Sequence, residues 1–152
     1  MKENNYRLLI PASESEIEAY YKIRFEVLRK PWGQDINTTR DEWEDNSLHV
    51  LMIDDAENAI ATGRLQFNSD SEGQIRSMAV VESHRGKGLG SIVLKFLEEK
   101  AKEKKLTMIV LDARDLAVKF YEKNGYKVEG NSYTLFEVIP HFRMSKDLFK
   151  YC

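Results

Sequence analysis

Cysteine is nearly absent. A single Cys152 ends a chain of 152 residues, so no disulfide framework can be drawn and that residue is expected at a frayed terminus. Any transition-metal site would fall to His49, His84 and His141, which have no ligand spacing with the cysteine or with each other. No metal is expected. An excess of one charge is also lacking: 23 Lys and Arg stand against 25 Asp and Glu, which leaves little field to draw in a phosphate backbone, so no nucleic-acid partner is expected. No apolar run approaches the roughly 18 residues of a membrane span, and the opening MKENNYRLLI is too polar for a secretory signal. A cytoplasmic protein with no membrane partner is the expectation. Repeats, low-complexity tracts and linkers are missing, and 42% hydrophobic content suffices for one core. Residues 1–152 are therefore expected to form a single domain.

What is there alternates between the two hydrophobic periods. Residues 6–10 (YRLLI) predict a strand, and Ser13 with Glu16 has the spacing of a capping box opening a helix whose apolar face is Ile17, Tyr20, Tyr21, Val27 and Leu28. Pro31 and Gly33 stop it, and 29–46 reads as a loop or a short second helix. Runs at 48–54, 59–67 and 74–81, separated by DAEN and NSDSEG, predict three antiparallel strands. Then Leu89, Ile92, Val93, Phe96, Leu97 and Ala101 recur at helical spacing, and TMIVLD (107–112) follows as a buried strand. A strand, long helix and strand in succession imply a crossover and a parallel pair. Asp115 is placed to cap a short helix with apolar Leu116, Ala117, Phe120 and Tyr121, ended by Gly125 after Asn124. Strands near 126–135 and 138–147, the latter broken at Pro140, complete a mixed α/β chain of the α+β kind.

Between the third strand and the long helix stands Met78-Ala79-Val80-Val81-Glu82-Ser83-His84-Arg85-Gly86-Lys87-Gly88-Leu89-Gly90-Ser91. Alternating glycines allow successive N–H groups to converge on one point. The helix N-terminus behind them adds unpaired donors and partial positive charge, and Arg85 and Lys87 add formal charge. A pyrophosphate suits this place better than a turn that merely closes a tight connection. A P-loop is excluded, because Ser91 follows Gly90 directly without the required lysine. A dinucleotide fingerprint comes closer through Gly86, Gly88 and Asp112, but Ser91 holds the third glycine's place and only 40 residues follow Asp112.

The run from Met78 to Ser91 resembles the acetyl-CoA-binding motif of the GNAT superfamily, Arg/Gln-x-x-Gly-x-Gly/Ala, matched by Arg85, Gly88 and Gly90. Ala117-Val118-Lys119-Phe120-Tyr121-Glu122-Lys123-Asn124-Gly125-Tyr126 resembles the same superfamily's second signature, Tyr-Glu-Lys-x-Gly-aromatic. Glu82 and Arg114 depart from the Pro and Asn common there. The resemblance implies a mostly antiparallel sheet of six to seven strands with a central, splayed parallel pair, flanked by about four helices. It implies acetyl-CoA as acyl donor, with the pantetheine arm pairing to Met78, Ala79 and Val80, and the diphosphate held at Arg85, Gly86, Lys87, Gly88, Leu89, Gly90 and Ser91. It also implies Tyr121 as the acid that meets the leaving thiolate, although Tyr121 could simply pack beside Phe120. A homodimer is compatible with it.

The implied activity is transfer of an acetyl group to a primary amine of a small molecule or peptide in a ternary complex; the alternatives are a non-catalytic acyl-CoA sensor and a nucleotide-binding oxidoreductase fragment. An amine attacks only when neutral, so a proton acceptor is required. Glu26, Glu82, Glu137, His141 and water are the candidates, with His84 and His49 behind them. Asp35, Asp41, Glu42, Glu44 and Asp45, beside Trp32 and Trp43, could attract a cationic acceptor or could be a solvated helix start.

Overall fold

The computed structural model describes residues 5–149, so Cys152 and the first four residues of the opening lie outside it. A strand, β1 (Tyr6–Leu9), leads into α1 (Glu14–Leu28), and the sequence then folds β2 (Ser47–Asp54), β3 (Ala59–Phe67) and β4 (Glu72–Val80). Helix α2 (Leu89–Glu103) crosses to β5 (Met108–Arg114), and α3 (Val118–Lys123), β6 (Lys127–Leu135) and β7 (Ile139–Asp147) follow. The seven strands make one sheet in the order β1-β2-β3-β4-β5-β7-β6. Among the described residues only β4 and β5 pair in parallel; every other neighbouring pair is antiparallel.

Local chemistry accounts for most of these boundaries. The Glu16 backbone N–H donates to Ser13 Oγ while Glu16 Oε1 accepts from Ser13 N–H, the reciprocal capping box at the start of α1. Gly125 at φ +92 ends α3 after Asn124. Helix α2 lies close on β3 because Gly63 has no side chain: a Cβ there would stand 2.7 Å from Val93 Cγ1 and 2.9 Å from Leu97 Cδ1. The main core forms between this helix and the sheet, around Val93, Leu97, Leu65, Ile109 and Leu111. A second cluster, with Tyr20, Ile23, Leu51, Ile53 and Ala79, packs α1 on the other face.

Residues 29–46, read as a loop or a short second helix, are a loop that holds three 3-10 turns, Lys30–Trp32, Ile36–Thr38 and Glu44–Asn46, so three α-helices flank the sheet among the described residues. The sequence expectations need correcting at four places. Ile92 is 45% exposed on α2, and Leu94 and Glu98 are buried in its stead. Glu98 tolerates burial because the Tyr126 hydroxyl and the Lys146 ammonium donate to it. Asp115 heads a 3-10 turn (Asp115–Ala117) that precedes α3. Leu116, within that turn, is 78% exposed. Strand β7 runs through Pro140, which pairs only with Thr134 of β6, since pairing with β5 begins at His141.

Candidate functional site: a cleft between two parting strands

Strands β4 and β5 stay paired from Glu72 and Met108 to Ile75 and Leu111, and there the pairing ends. Both strands continue, β4 to Val80 and β5 to Arg114, so a V-shaped opening separates them. Its cause lies in β4. Opposite Thr62 stands Ala79, but opposite Arg64 stands Arg76, so Ser77 and Met78 together face Gly63. That extra residue is a bulge, with Ser77 at φ +55 and its carbonyl accepting from Thr62 Oγ1 at 2.9 Å. A bulge bends its strand, which turns the end of β4 away from β5. Met78, Ala79 and Val80 thus lie on the part of β4 that has β3 along one edge and no strand along the other.

The glycine-rich turn sits at the end of this opened strand. Gly86 and Gly88 are left-handed, at φ +80 and +77, and Gly88 caps α2 with no side chain closing that end. None of the backbone N–H groups from Gly86 to Ser91 is hydrogen-bonded to another described residue. Such donors at a helix start are an anion cradle. Arg85 Nε donates to the Val80 carbonyl at 3.1 Å, tying the turn to β4, and Lys87 is exposed beside it. Leu89 is buried as the first core contact of α2. Ser91 Oγ accepts from Asn124 Nδ2 at 3.3 Å, and a Cβ on Gly90 would stand 3.2 Å from Phe120 Cζ, so the turn is braced against α3.

Deeper in the opening is a cavity lined by Leu28 at the end of α1, Arg29 and Trp32 from the turn after it, Gln74 to Met78 from β4, Asp112 to Arg114 from β5, and Tyr121, Tyr133 and His141. Tyr121 is buried, edge-on to Phe120 at 5.0 Å and Tyr126 at 5.8 Å. Its hydroxyl has no hydrogen-bond partner among the described residues. Burial raises its pKa above that of an ordinary phenol, so it stays protonated at neutral pH.

Among the base candidates, only His141 lines the cavity. Its Nδ1 lies 2.9 Å from the Ile139 carbonyl, which can only accept, so Nδ1 carries the proton and Nε2 of the neutral ring holds the free lone pair. Glu26, Glu82 and Glu137 are exposed and outside the cavity, on α1, in the 3-10 turn Glu82–His84 and in the β6–β7 turn. His49 is structural: Tyr20 Oη stands 2.6 Å from Nδ1 and the Glu44 carbonyl 2.8 Å from Nε2, and burial lowers its pKa. His84 rests against Ser83 Oγ and the Tyr6 ring.

The acidic segment does different work from that expected of it. Arg64 is fully buried in β3, yet its guanidinium meets Glu44 Oε2 at 2.5 Å and Asp41 Oδ2 at 2.9 Å, and Arg24 of α1 meets Glu44 Oε1 at 2.6 Å. Burial pushes the Glu44 carboxyl up, but the hydrogen bond and charge of Arg24, with Asp41 N–H and Arg64, hold it down at about 2. Asp41 and Glu44 therefore neutralise two buried arginines and are not free to hold a cationic acceptor. Trp32 lines the cavity and Trp43 does not. The sequence did carry a signal for this: an arginine in the middle of the apolar strand AIATGRLQF is buried only if paired.

The model described as the acetyltransferase (GNAT) family matches residues 17–126. An N-acetyltransferase of Bacillus subtilis (strain 168), YjcF, whose own activity is uncharacterized, is 32% identical over 141 residues, which are 93% of this chain and 99% of that protein. An aminoglycoside 6'-N-acetyltransferase complexed with coenzyme A superposes with a TM-score of 0.78 at 13% identity, covering 97% of this chain and 99% of the other. A GNAT family acetyltransferase from Elizabethkingia anophelis with acetyl-CoA bound superposes with a TM-score of 0.76 at 14% identity, covering 94% and 98%. These two likenesses establish the fold.

Proposed function

The chain belongs to the acetyltransferase (GNAT) family, and from that premise we propose that it transfers an acetyl group from acetyl-CoA directly to a primary amine of a small molecule or peptide, the whole chain acting as one catalytic domain. The observation that supports this most is the end of β4–β5 pairing at Ile75 and Leu111, which leaves an edge of β4 open next to the unpaired N–H groups from Gly86 to Ser91. An extended chain bearing amides, such as pantetheine, can add to that edge as a strand would. The diphosphate at its end then reaches the glycine turn, where Arg85, Gly86, Lys87, Gly88, Leu89, Gly90 and Ser91 offer donors and positive charge.

In this reading Met78, Ala79 and Val80 bind the pantetheine arm, and a backbone N–H of this stretch polarises the thioester carbonyl. A preorganised donor of that kind is worth about 3 kcal/mol in the transition state. His141 Nε2 takes the proton from the incoming amine as its nitrogen bonds to the carbonyl carbon. Tyr121 donates a hydrogen bond to the sulfur as the carbon–sulfur bond breaks. Complete transfer to a free thiolate, with a pKa of about 8.5, would be uphill from a phenol raised by burial. The same dry surroundings raise the thiolate too, which narrows the gap. The sulfur leaves as a thiolate held by that hydrogen bond and takes its proton from solvent, while His141 gives the amine's proton back to solvent.

The test is release of free thiol from acetyl-CoA by the purified protein across amino acids, polyamines, aminoglycosides and peptide N-termini. Turnover with at least one amine, together with calorimetric binding of CoA and none of NAD, is expected. A protein that binds CoA but turns over no amine is a sensor, and one that binds NAD in preference to CoA belongs to the oxidoreductase reading.

A further inference from the structure

The cavity beside the opened strands carries more cationic than anionic side chains. Four arginines and two aspartates line it: Arg24, Arg29, Arg76, Arg114, Asp41 and Asp112. Both aspartates are committed elsewhere, Asp41 to Arg64 at 2.9 Å and Asp112 to Arg143 at 3.1 Å. Arg24 is matched by Glu44. The other three arginines form no ion pair with a described carboxylate. Arg29 donates to the backbone carbonyls of Thr38 and Leu28, and Arg76 makes no hydrogen bond or ion pair with a described residue. The Arg114 guanidinium lies 5.7 Å over the Trp32 ring, and its Nε is buried with no acceptor.

Three uncompensated guanidinium groups in one half-buried cleft repel each other and are only partly hydrated. Arg29 records the effect: burial, and after it the charges of Arg24 and Arg76, make it less basic than an ordinary arginine. Among the described residues Tyr133 and Asp41 offset this only in part; an anion placed among the three would offset it further, and guanidinium groups fit carboxylate and phosphate oxygens in pairs. Apart from Met78, the stretch of β4 offered to pantetheine and the whole of the glycine turn lie outside this cavity.

Resting on the acetyltransferase reading, we infer that the acceptor is an amine that also carries an anionic group, carboxylate or phosphate, which Arg29, Arg76 and Arg114 grip while the amine lies against His141. The same charges turn away polyamines and other polycations.

The experiment is steady-state thiol release with acetyl-CoA and matched acceptors that differ only in the anion: 2-aminoethyl phosphate against ethanolamine, β-alanine against β-alaninamide, with spermidine as the polycation. At least one anionic member is expected to exceed its neutral partner in kcat/KM by about tenfold or more, with spermidine lowest. The two pairs tell phosphate from carboxylate. Arg76→Gln and Arg114→Gln are each expected to raise KM for the anionic acceptor by about tenfold while KM for acetyl-CoA stays within about twofold. Neutral amines used as well as anionic ones, or spermidine preferred, would overturn the inference and leave the acetyltransferase standing. A rise in KM for acetyl-CoA in the arginine variants would overturn it as well, by assigning these arginines to the donor. No thiol release from any amine would bring down the acetyltransferase reading and this inference with it.

Discussion

His141 lies flat against Tyr133, with ring centroids 4.6 Å apart and planes 11° from parallel, and donates its Nδ1 proton to the Ile139 carbonyl. Stacking fixes the plane of the imidazole and the hydrogen bond fixes its tautomer, so the lone pair of the neutral ring lies on Nε2, where the proposed reaction needs a proton acceptor. Replacing His141 with Gln is expected to lower kcat by about a hundredfold near neutral pH. The deficit should shrink as the pH rises toward about 10.4, where a lysine-like amine loses its own proton. Paired pH–rate profiles check this; parallel profiles would assign the proton to water.

Tyr121→Phe keeps the ring against Phe120 and Tyr126 and removes only a hydroxyl that has no partner among the described residues. Stability should change little. If the hydroxyl serves the departing sulfur, kcat falls by about ten- to a hundredfold with KM for acetyl-CoA unchanged. Thermal melting measured beside steady-state kinetics separates that role from packing, since a packing role would lower the melting temperature and leave kcat alone.

Gly88→Val tests the turn. A Cβ at Gly88 would meet nothing within 4 Å, so there is no clash, but φ of +77 is a conformation that a valine adopts only at a cost of about 1–2 kcal/mol. The turn relaxes and its N–H groups lose their common aim. Calorimetry should show CoA bound at least about tenfold more weakly; unchanged affinity would separate this turn from the diphosphate.

Glu44→Gln leaves Arg24 without its carboxylate and Arg64 with Asp41 alone. Breaking a buried ion pair costs about 3 kcal/mol or more, to be read as a shift in the urea midpoint near neutral pH. Glu44 is held at about 2, against an ordinary 4.5, so its contribution is complete above about 4.5 and is lost as the pH falls toward 2. Wild type and variant should therefore converge over that acid range; a gap that persists there would mean the stabilisation does not come from the ionised carboxylate.

The parts of the fold that were legible in the sequence are those fixed by near neighbours. Ser13 and Glu16 announced the start of α1, Gly125 the end of α3, and the glycines from Gly86 to Gly90 the turn before α2. The bulge at Ser77 was not legible, because serine has no marked preference for φ +55 and the conformation is imposed by pairing with Gly63 and Thr62 across the sheet. The partner of Arg24 and Arg64 was not legible, since Glu44 is far from both along the chain. The charge of the cavity was not legible for the same reason: the acids lie close together in sequence, whereas Arg29, Arg76 and Arg114 meet only in the folded chain.

The account rests on an acyl-CoA lying along β4 with its diphosphate at the turn, and titration of acetyl-CoA followed by backbone amide resonances tests that most directly. The largest shifts are predicted at Met78, Ala79 and Val80 and from Gly86 to Ser91, with NAD leaving them unmoved. Shifts confined to other parts of the sheet, or none at saturating acetyl-CoA, would contradict it.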